Sequence, residues 1–304
     1  MRFALVGAAG YIAPRHMQAI REIGGELVAA FDPRDSVGII DSYFPQADFF
    51  VEFERFDRHI DKLRRAGPGH AVDYIAICSP NYLHDAHVRF ALRVGANVIC
   101  EKPIVLNPWN IQALREVEAE SAGRVNTILQ LRLHPAIIAL RDRVAGSDRI
   151  HEVELVYQTS RGHWYDVSWK GDVKKSGGIA TNIGVHFFDM LHWIFGATRR
   201  SELTAASART NSGVLELERA RVRWKLSIDE AELPPDVRAA KKRTFRHITV
   251  DGEPLEFSEG FTDLHTLSYR AIIENRGFRM DDCLAAIETV ADIRQAAARL
   301  CPEI

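Results

Sequence analysis

Short apolar runs alternate with amphipathic segments over residues 1–131, and this alternation restricts the possible folds more than any other feature of the chain. Continuous runs of valine, isoleucine and leucine are typical of strands buried on both faces, as in parallel sheets covered by helices. The segments between them have helical spacing, and most of them end at glycine. The pattern predicts a doubly wound α/β fold with the strands RFALVG, ELVAAFD, VDYIAICSP, ANVICEKP and VNTILQL.

The first predicted strand runs directly into the glycine-rich sequence GAAGYIA at residues 7–13. Gly7 allows a tight turn, Gly10 lets the backbone approach a pyrophosphate, and Ala13 allows the following helix to pack closely. An ordinary strand-to-helix turn would explain the glycines taken alone. Because the loop lies between a strand and a helix N-terminus, where phosphate groups bind, it predicts a dinucleotide site.

Asp32 ends the second predicted strand, about 20 residues after the loop, where dinucleotide-binding domains carry an acidic residue. Its carboxylate can accept both ribose hydroxyls of an adenosine, and its charge would repel a 2′-phosphate. These features predict NAD, and not NADP, as the cofactor. Arg34 argues in the other direction, because an arginine at that position could bind the 2′-phosphate of NADP.

Two further predicted strands end in CSPNYLH at residues 78–84 and in CEKP at residues 100–103. Ligands of such sheets bind outside the carboxyl ends of the strands, so Lys102 is expected near the nicotinamide. A solvated surface lysine is the alternative, but the preceding strand is almost wholly apolar and Pro103 restricts the turn. The predicted cofactor contacts are Gly7, Gly10, Tyr11, Ile12, Asp32, Ser79, Pro80, Asn81, His84, Glu101 and Lys102.

Bulk properties exclude several classes of protein. The formal net charge of −2 provides no field for nucleic acid or an anionic membrane, and the apolar runs are far shorter than a spanning helix. The chain enters its first strand directly after Met1-Arg2, which argues against a cleaved signal. Its four cysteines are scattered without a CxxC pair, which indicates reduced thiols and predicts a cytoplasmic protein.

The second half of the chain has a different pattern. HEVELVYQT and RARVRWKLSID alternate apolar and polar residues, as half-buried strands do. We therefore expect a nucleotide-binding domain at 1–122 and a substrate-binding and oligomerisation domain at 123–304. The segment after residue 123 is either a last strand of the first domain or a crossover.

One histidine, His186, lies at the start of the apolar run in SGGIATNIGVHFFDML at residues 176–191. It could be a core histidine, a metal ligand or a proton-transfer group. His192 lies six residues later, and not at the i,i+4 spacing that directs two ligands from one helix, so no metal is predicted. Histidine has an unperturbed pKa of about 6.5, against about 10.4 for lysine, which favours His186 over Lys102 as a general base.

The order GxxGxxA, SPNxxH, EKP and GGxxxNxGxH resembles the family of glucose–fructose oxidoreductase and inositol dehydrogenase. More narrowly, EKPIVLNPWNI, LQLRLHP, TSRGHWYDVSWKGD and SGGIATNIGVHFFDMLHWIFG resemble bacterial UDP-N-acetylglucosaminuronate 3-dehydrogenases. The resemblance covers nearly the whole chain. It implies a C-terminal α+β domain built on an open, mostly antiparallel sheet, following the N-terminal Rossmann domain.

The resemblance also implies an activity. This is the oxidation by NAD of the C3 hydroxyl of the UDP-sugar uronate, for synthesis of a 2,3-diamino uronate of lipopolysaccharide O-antigen. Lys102 and His186 take the family's proton-handling positions, and Asn182 replaces the aspartate of many members. The implied partners are a downstream aminotransferase and further copies of the chain in a homotetramer. NADH recycling stays open between two routes, because some relatives use 2-oxoglutarate as the acceptor and others release NADH. The predicted substrate contacts are Lys102, Arg132, Arg161, Tyr165, Ser168, Lys170, Asn182 and His186.

Arginine is suited to bidentate recognition of a carboxylate, which makes Arg161 the first candidate for the uronate. Two other functions remain open at this stage. The chain could be a dehydrogenase of the same family for another sugar or cyclitol, with Lys102 and His186 but without the uronate pocket. It could also be a non-catalytic NAD-binding sensor.

Overall fold

The computed structural model describes residues 1–256 and 263–301, which form two compact units. Within the described ranges, one unit comprises residues 1–105, 109–130 and 263–283. The other comprises residues 106–108, 131–256 and 284–301. No helix in these ranges is long and apolar enough to cross a membrane.

The strands and helices are numbered in chain order. The strands are β1 (Arg2–Val6), β2 (Glu26–Phe31), β3 (Asp48–Phe50), β4 (Tyr74–Ile77), β5 (Asn97–Cys100), β6 (Val125–Thr127), β7 (His151–Thr159), β8 (Thr198–Ala206), β9 (Thr210–Leu217), β10 (Ala220–Ser227), β11 (Thr244–Val250), β12 (Glu253–Pro254) and β13 (Phe278–Arg279). The helices are α1 (Ala13–Glu22), α2 (Phe53–Arg65), α3 (His84–Arg93), α4 (Trp109–Ala119), α5 (Pro135–Ala145), α6 (His163–Val167), α7 (Val173–Ser176), α8 (Val185–Phe195), α9 (Pro235–Ala239), α10 (Leu264–Ile273) and α11 (Leu284–Leu300).

The first unit contains a seven-stranded sheet in the order β13-β6-β5-β4-β1-β2-β3. All neighbours are parallel except β13, which pairs antiparallel with β6. The inner strands are almost completely buried because helices cover both faces, as the apolar runs predict. The strand order reverses between β4 and β2, on either side of β1, and this is the point at which doubly wound sheets bind ligands. The predicted doubly wound fold is confirmed.

The second unit contains a six-stranded sheet in the order β12-β11-β7-β10-β9-β8. Its pairs are antiparallel except β7 with β10. Along β10 the first residues alternate strictly between buried and exposed, because one face of the sheet packs against α8, where Phe188 contacts Trp224 of β10, and against α11. The expected mostly antiparallel α+β unit is confirmed.

The chain passes between the two units more than once, in contrast to the single expected boundary after residue 122. Val125 pairs with Val98 of β5, so β6 is the last parallel strand of the first sheet. Residues 263–283 also belong to the first unit, where β13 pairs with β6 and α10 packs against α1. Pattern alone could not reveal this return, because pairing between distant segments, such as Phe278 with Thr127, leaves no local signal.

Candidate active site

The glycine loop after β1 is shaped by close backbone approach. Gly7 has a φ of +94°, and its amide donates to the Phe31 carbonyl oxygen at 2.8 Å. A Cβ on Gly7 would lie 2.6 Å from the Ser79 amide nitrogen and 2.7 Å from the Cys78 carbonyl oxygen. A Cβ on Gly10 would lie 3.0 Å from the Gly7 carbonyl oxygen. The loop therefore leaves no space for side chains at these positions, which suits a backbone that binds a pyrophosphate.

Asp32 closes the other side of this loop. Its carboxylate accepts the Ala9 amide at 3.0 Å and the Arg34 amide at 2.9 Å, and it is 8% exposed. Each carboxylate oxygen has a further lone pair, so the group can still accept ribose hydroxyls. Ile12 is the residue before α1, whereas the Tyr11 side chain is 97% exposed. These positions fit the dinucleotide that the sequence predicts.

His84 connects the loops that follow β4 and β5. Its Nδ1 lies 2.7 Å from the Pro103 carbonyl oxygen and its Nε2 lies 2.8 Å from the Ser79 carbonyl oxygen. Burial lowers the pKa of His84, and the two carbonyl oxygens oppose that shift. Because both ring nitrogens face the backbone, this side chain supports the two loops, in contrast to the predicted direct contact with the cofactor.

The neighbouring predicted residues on the loop after β4 are mostly buried as well. Ser79 and Asn81 are buried, whereas Pro80 is partly exposed. The Ser79 hydroxyl lies 2.9 Å from His87 Nδ1, within hydrogen-bonding distance. Burial, with a smaller effect of His84, lowers the pKa of His87 to about 4, so this ring is neutral and can accept that hydrogen bond.

Glu101 and Lys102 follow β5 directly, and the Lys102–Pro103 peptide bond is cis. Lys102 is only partly buried. Burial lowers the pKa of its ammonium group and the charge of Glu101 opposes that change. The Glu101 carboxylate instead points into the first unit, where it meets His16 and His265. The Glu101 side chain therefore has two histidine partners, and its contact with the cofactor stays a prediction.

Neither histidine partner of Glu101 was found from the sequence. His16 lies on α1 and His265 on α10, 249 residues further along the chain. Nothing in their local patterns marks them, because both occupy ordinary apolar faces of amphipathic helices. Only the tertiary structure brings them together.

His186 is the second residue of α8, which follows a π-helical turn at Ala180–Gly184 without a break. Single π turns inside helices are frequent at functional sites. The His186 ring is partly buried, and its centroid lies 4.2 Å from that of Phe187. His192, by contrast, is a buried histidine whose Nε2 lies 2.8 Å from the Thr289 hydroxyl.

Several predicted substrate residues lie close together in the second unit. The Asn182 amide donates to the Tyr165 hydroxyl at 2.8 Å. The Ser168 hydroxyl donates to the Tyr165 carbonyl oxygen at 2.9 Å, and the Lys170 ammonium lies 4.3 Å from the Trp169 ring centroid. The Arg161 amide donates to the Ile228 carbonyl oxygen at 3.0 Å.

A cavity of about 410 Å³ in this unit is lined by Tyr165 and Lys170 of the predicted set. Its wall also includes Arg209 and Arg294, which sequence reasoning missed. Arg209 forms a two-point ion pair with Asp166 at 2.9 and 3.0 Å and also donates to the Arg161 carbonyl oxygen. Arg209 therefore connects the predicted binding loop to the start of β9. Sequence reasoning missed this residue because no motif links it to the loop more than 40 residues earlier.

Arg132 is a correction to the predicted substrate contacts. Its guanidinium donates twice to Asp189 of α8, at 3.0 and 2.7 Å, and both side chains are buried. A buried bidentate pair of this kind uses the geometry that makes arginine suitable for a substrate carboxylate. Arg132 consequently joins two segments of the second unit and is not retained as a substrate contact.

Comparison with known proteins agrees with this geometry. Residues 1–128 match the GFO/IDH/MocA model, an oxidoreductase family with an NAD-binding Rossmann fold. Residues 148–227 match the model for that family's C-terminal alpha/beta domain. Among curated proteins, inositol 2-dehydrogenase of Rhizobium meliloti is 31% identical over 200 residues, which are 64% of this chain and 55% of that protein. The chain spans about half the length of such curated relatives.

Solved structures extend the similarity over nearly the whole chain. The WlbA (WbpB) dehydrogenase of Thermus thermophilus, solved with NAD and alpha-ketoglutarate, is 52% identical and has a TM-score of 0.93. The alignment covers 97% of this chain and 94% of that chain. The same dehydrogenase was also solved with NAD and UDP-GlcNAcA, with a TM-score of 0.92. The WlbA dehydrogenase of Bordetella pertussis, at 20% identity with 98% and 95% coverage and a TM-score of 0.78, shares the fold.

The glycine loop, the carboxylate after β2, the doubly wound sheet and the second, mostly antiparallel unit all agree with the matched models. The chain therefore belongs to the GFO/IDH/MocA family of NAD-dependent oxidoreductases.

Proposed function

We propose that this protein oxidises the C3 hydroxyl of UDP-N-acetylglucosaminuronate with NAD, giving the 3-keto sugar nucleotide and NADH. The observation that carries the proposal is the 52% identity, over 97% of this chain, to a dehydrogenase solved with NAD and UDP-GlcNAcA. The predicted proton-handling residues Lys102 and His186 are both present and both partly accessible, which supports a catalytic protein over a sensor.

The first unit supplies the cofactor site in this proposal. NAD, when bound, accepts the hydride, so the protein has to bind, orient and handle a proton. Gly7 and Gly10 leave the backbone open to the pyrophosphate, and Asp32 accepts hydrogen bonds from the adenosine ribose. The negative charge of Asp32 disfavours a 2′-phosphate, which is the reason for proposing NAD over NADP.

Removal of the hydroxyl proton requires a base with a suitable pKa. We assign this role to His186, because an imidazole titrates near neutral pH without further adjustment. Lys102 then donates a hydrogen bond to the reacting oxygen and stabilises the negative charge that develops there. Burial lowers the pKa of Lys102, which also brings a lysine closer to the range of a general base. The experiment below therefore tests both residues.

The second unit supplies the substrate contacts. Arg161, Tyr165, Ser168, Lys170 and Asn182 remain the proposed set, with Arg161 as the partner of the uronate carboxylate. Tyr165 and Lys170 line the cavity of about 410 Å³, whose arginines suit the anionic groups of a sugar nucleotide. Asn182 holds the Tyr165 hydroxyl and cannot itself take a proton.

Several wider expectations belong to the same proposal. The T. thermophilus dehydrogenase was solved with alpha-ketoglutarate as well as NAD, which supports 2-oxoglutarate as the acceptor that reoxidises NADH. The 3-keto product has the chemistry of an aminotransferase substrate, in keeping with a route to a diamino uronate of O-antigen. A homotetramer in the cytoplasm remains the prediction for assembly and location.

The test is a reaction of purified protein with NAD and UDP-N-acetylglucosaminuronate deuterated at C3, followed by mass spectrometry. We expect loss of deuterium from C3 and of the hydroxyl proton, deuterium in the reduced cofactor, and no reaction with UDP-N-acetylglucosamine, which lacks the carboxylate. Near-stoichiometric enzyme is used, with and without 2-oxoglutarate, because alcohol oxidation by NAD is often unfavourable near neutral pH.

Matched variants complete this experiment. His186→Asn should retain NAD binding and lose most turnover, and Lys102→Met should also lose most turnover, whereas His247→Asn, at an exposed histidine of β11, should behave as wild type. Reaction with another sugar or cyclitol instead would assign a different dehydrogenase of the family. Bound NAD without turnover of any such substrate would support the sensor.

A further inference from the structure

Four buried side chains from three segments meet inside the first unit. His16 lies on α1, Glu101 follows β5, and His265 and Tyr269 lie one turn apart on α10. Glu101 Oε1 lies 3.2 Å from His16 Nε2 and 2.9 Å from His265 Nε2. His16 Nδ1 lies 2.8 Å from the Tyr269 hydroxyl. We call these four residues the Glu101 cluster.

One assignment of protons satisfies all of these contacts. In this assignment the Tyr269 hydroxyl, which stays protonated because burial raises its pKa well above the usual value, donates to His16 Nδ1. His16 must then carry its proton on Nε2, from which it donates to Glu101. Burial lowers the pKa of His16, in agreement with a neutral ring that both accepts and donates. His265 donates to the same carboxylate oxygen through its own Nε2.

The assignment makes Glu101 a buried anion. Burial alone would raise its pKa, but the hydrogen bonds from His16 and His265 lower it well below its usual value. Burying a carboxylate is costly unless such donors compensate it, so the two histidines are the reason that this charge can exist here. The other carboxylate oxygen, Oε2, accepts the backbone amide of Lys102 at 3.3 Å. The cluster is therefore connected directly to the proposed proton-handling residue.

A metal ion is the main alternative. The ligand atoms of His16, Glu101 and His265 all lie within 4.8 Å of one another, which is close enough to bind one ion together. However, these ligand atoms already contact one another as hydrogen-bond partners, since Glu101 Oε1 lies within 3.2 Å of both histidine Nε2 atoms. Two histidine donors are enough to stabilise the buried carboxylate without an ion.

We propose that His16 and His265 are positioning residues, which hold Glu101 as a carboxylate so that it places Lys102 and sets the electrostatic environment of the Lys102 ammonium group. The inference rests on the proposed role of Lys102 in the reaction. Within the first unit, the titratable groups acting on Lys102 are Glu101, beside it in the chain, and His84 of α3. Tyr269 contributes indirectly, because its hydroxyl selects the tautomer of His16.

The central variants are His265→Leu, which removes the donor, and His265→Gln, whose amide can still donate to Glu101. We expect His265→Leu to lower kcat on the order of 10²-fold with much smaller changes in KM and NAD affinity, because misplacing a reacting group costs rate more than binding. His265→Gln should recover most of this loss. His70, an exposed histidine of the same unit, provides the matched control pair His70→Leu and His70→Gln.

A second measurement does not depend on turnover. Competitive labelling of amines across a pH series, with mass spectrometry of the peptide that contains Lys102, reports the apparent pKa of this lysine. Glu101→Gln should lower that pKa, because the carboxylate opposes the effect of burial on Lys102. His265→Leu should change it in the same direction, and His265→Gln should restore it. Tyr269→Phe removes only the hydroxyl and covers the case in which His265→Leu fails to fold.

These readouts separate the two proposals. Unchanged labelling of Lys102 in folded Glu101→Gln and Tyr269→Phe would overturn the positioning role, whatever the substrate is. Equal loss in His265→Leu and His265→Gln would also contradict it. If the purified protein contained a stoichiometric metal ion that His265→Gln lacked, the cluster would be a metal site and not a positioning network. Normal labelling shifts without turnover of any sugar nucleotide would instead refute the proposed function alone.

Discussion

Gly7 provides the sharpest test of the cofactor loop, and Gly7→Ala is the substitution to make. A methyl group there would lie 2.6 Å from the Ser79 nitrogen and 2.7 Å from two backbone atoms of Cys78. These atoms belong to the adjacent strand end and cannot turn aside as a flexible side chain would. The φ of +94° is also unfavourable for alanine, so strain and overlap act together.

The expected loss of stability in Gly7→Ala is the sum of the backbone strain and the steric overlap. A left-handed backbone conformation costs alanine roughly 1–2 kcal/mol, and overpacking in a closely packed region costs about 1–3 kcal/mol. We therefore expect Gly7→Ala to lower the free energy of unfolding by about 2–5 kcal/mol. Gly10→Ala should cost only about 1 kcal/mol, since its methyl group meets the Gly7 carbonyl oxygen at 3.0 Å without a positive φ.

The assay is urea unfolding of the three single variants Gly7→Ala, Gly10→Ala and Gly38→Ala, together with calorimetric titration of NAD. Gly38 is the matched control, because a methyl group there meets nothing within 4 Å, and its effect should stay within about 0.5 kcal/mol. NAD affinity should fall most in Gly7→Ala. If Gly7→Ala were as stable as Gly38→Ala and bound NAD normally, the close approach of the two strand ends would be refuted.

Three further predictions concern other parts of the molecule. Asp189→Asn should lower the free energy of unfolding by about 3–5 kcal/mol, because it leaves the buried Arg132 guanidinium without its carboxylate. A folded Arg132→Gln variant with normal stability but a raised KM for the uronate would instead restore Arg132 as a substrate contact. His186→Asn should lose most turnover per folded molecule while keeping its melting temperature, and a destabilised variant whose turnover per folded molecule is unchanged would make His186 a core residue. The pKa of His87 falls from 6.5 to about 4 on folding, so this neutral histidine contributes stability that is complete above about pH 6.5 and is lost as the pH falls towards 4. The loss in the free energy of unfolding should reach about 3 kcal/mol. Unfolding curves of His87→Gln that depend on pH as strongly as those of the wild type would contradict this prediction.

Local features of the chain were sufficient to predict much of the nucleotide-binding unit. The glycines at positions 7 and 10, the carboxylate at Asp32 and the apolar strands lie within short segments, and each acts mainly through its own backbone or the next turn. Such features are readable because sheet and helix periods are expressed over a few residues. The strand ends at Ser79 and Lys102 were placed for the same reason, since parallel strands present their carboxyl ends at one edge.

Several side chains predicted to contact ligands have distant partners in the folded chain. Arg132 was expected at the substrate, but Asp189, 57 residues away, takes its guanidinium. His84 and Glu101 were expected at the cofactor, but backbone carbonyl oxygens and two histidines occupy their polar atoms. The types of residue suited the predicted chemistry in each case. The sequence pattern could not identify the competing hydrogen-bond partner of each side chain, because only folding brings that partner within hydrogen-bonding distance.

The sequence by itself determined the alternation of strands and helices in the nucleotide-binding unit, the glycine loop and the candidate proton-handling residues Lys102 and His186. Tertiary structure alone decided that α10 returns to the first unit, and so that His265 and Tyr269 meet His16 and Glu101. The physical reason is that a buried charge is stable only when donors surround it on several sides. Here these donors come from α1 and α10, which are separated by more than 200 residues of chain.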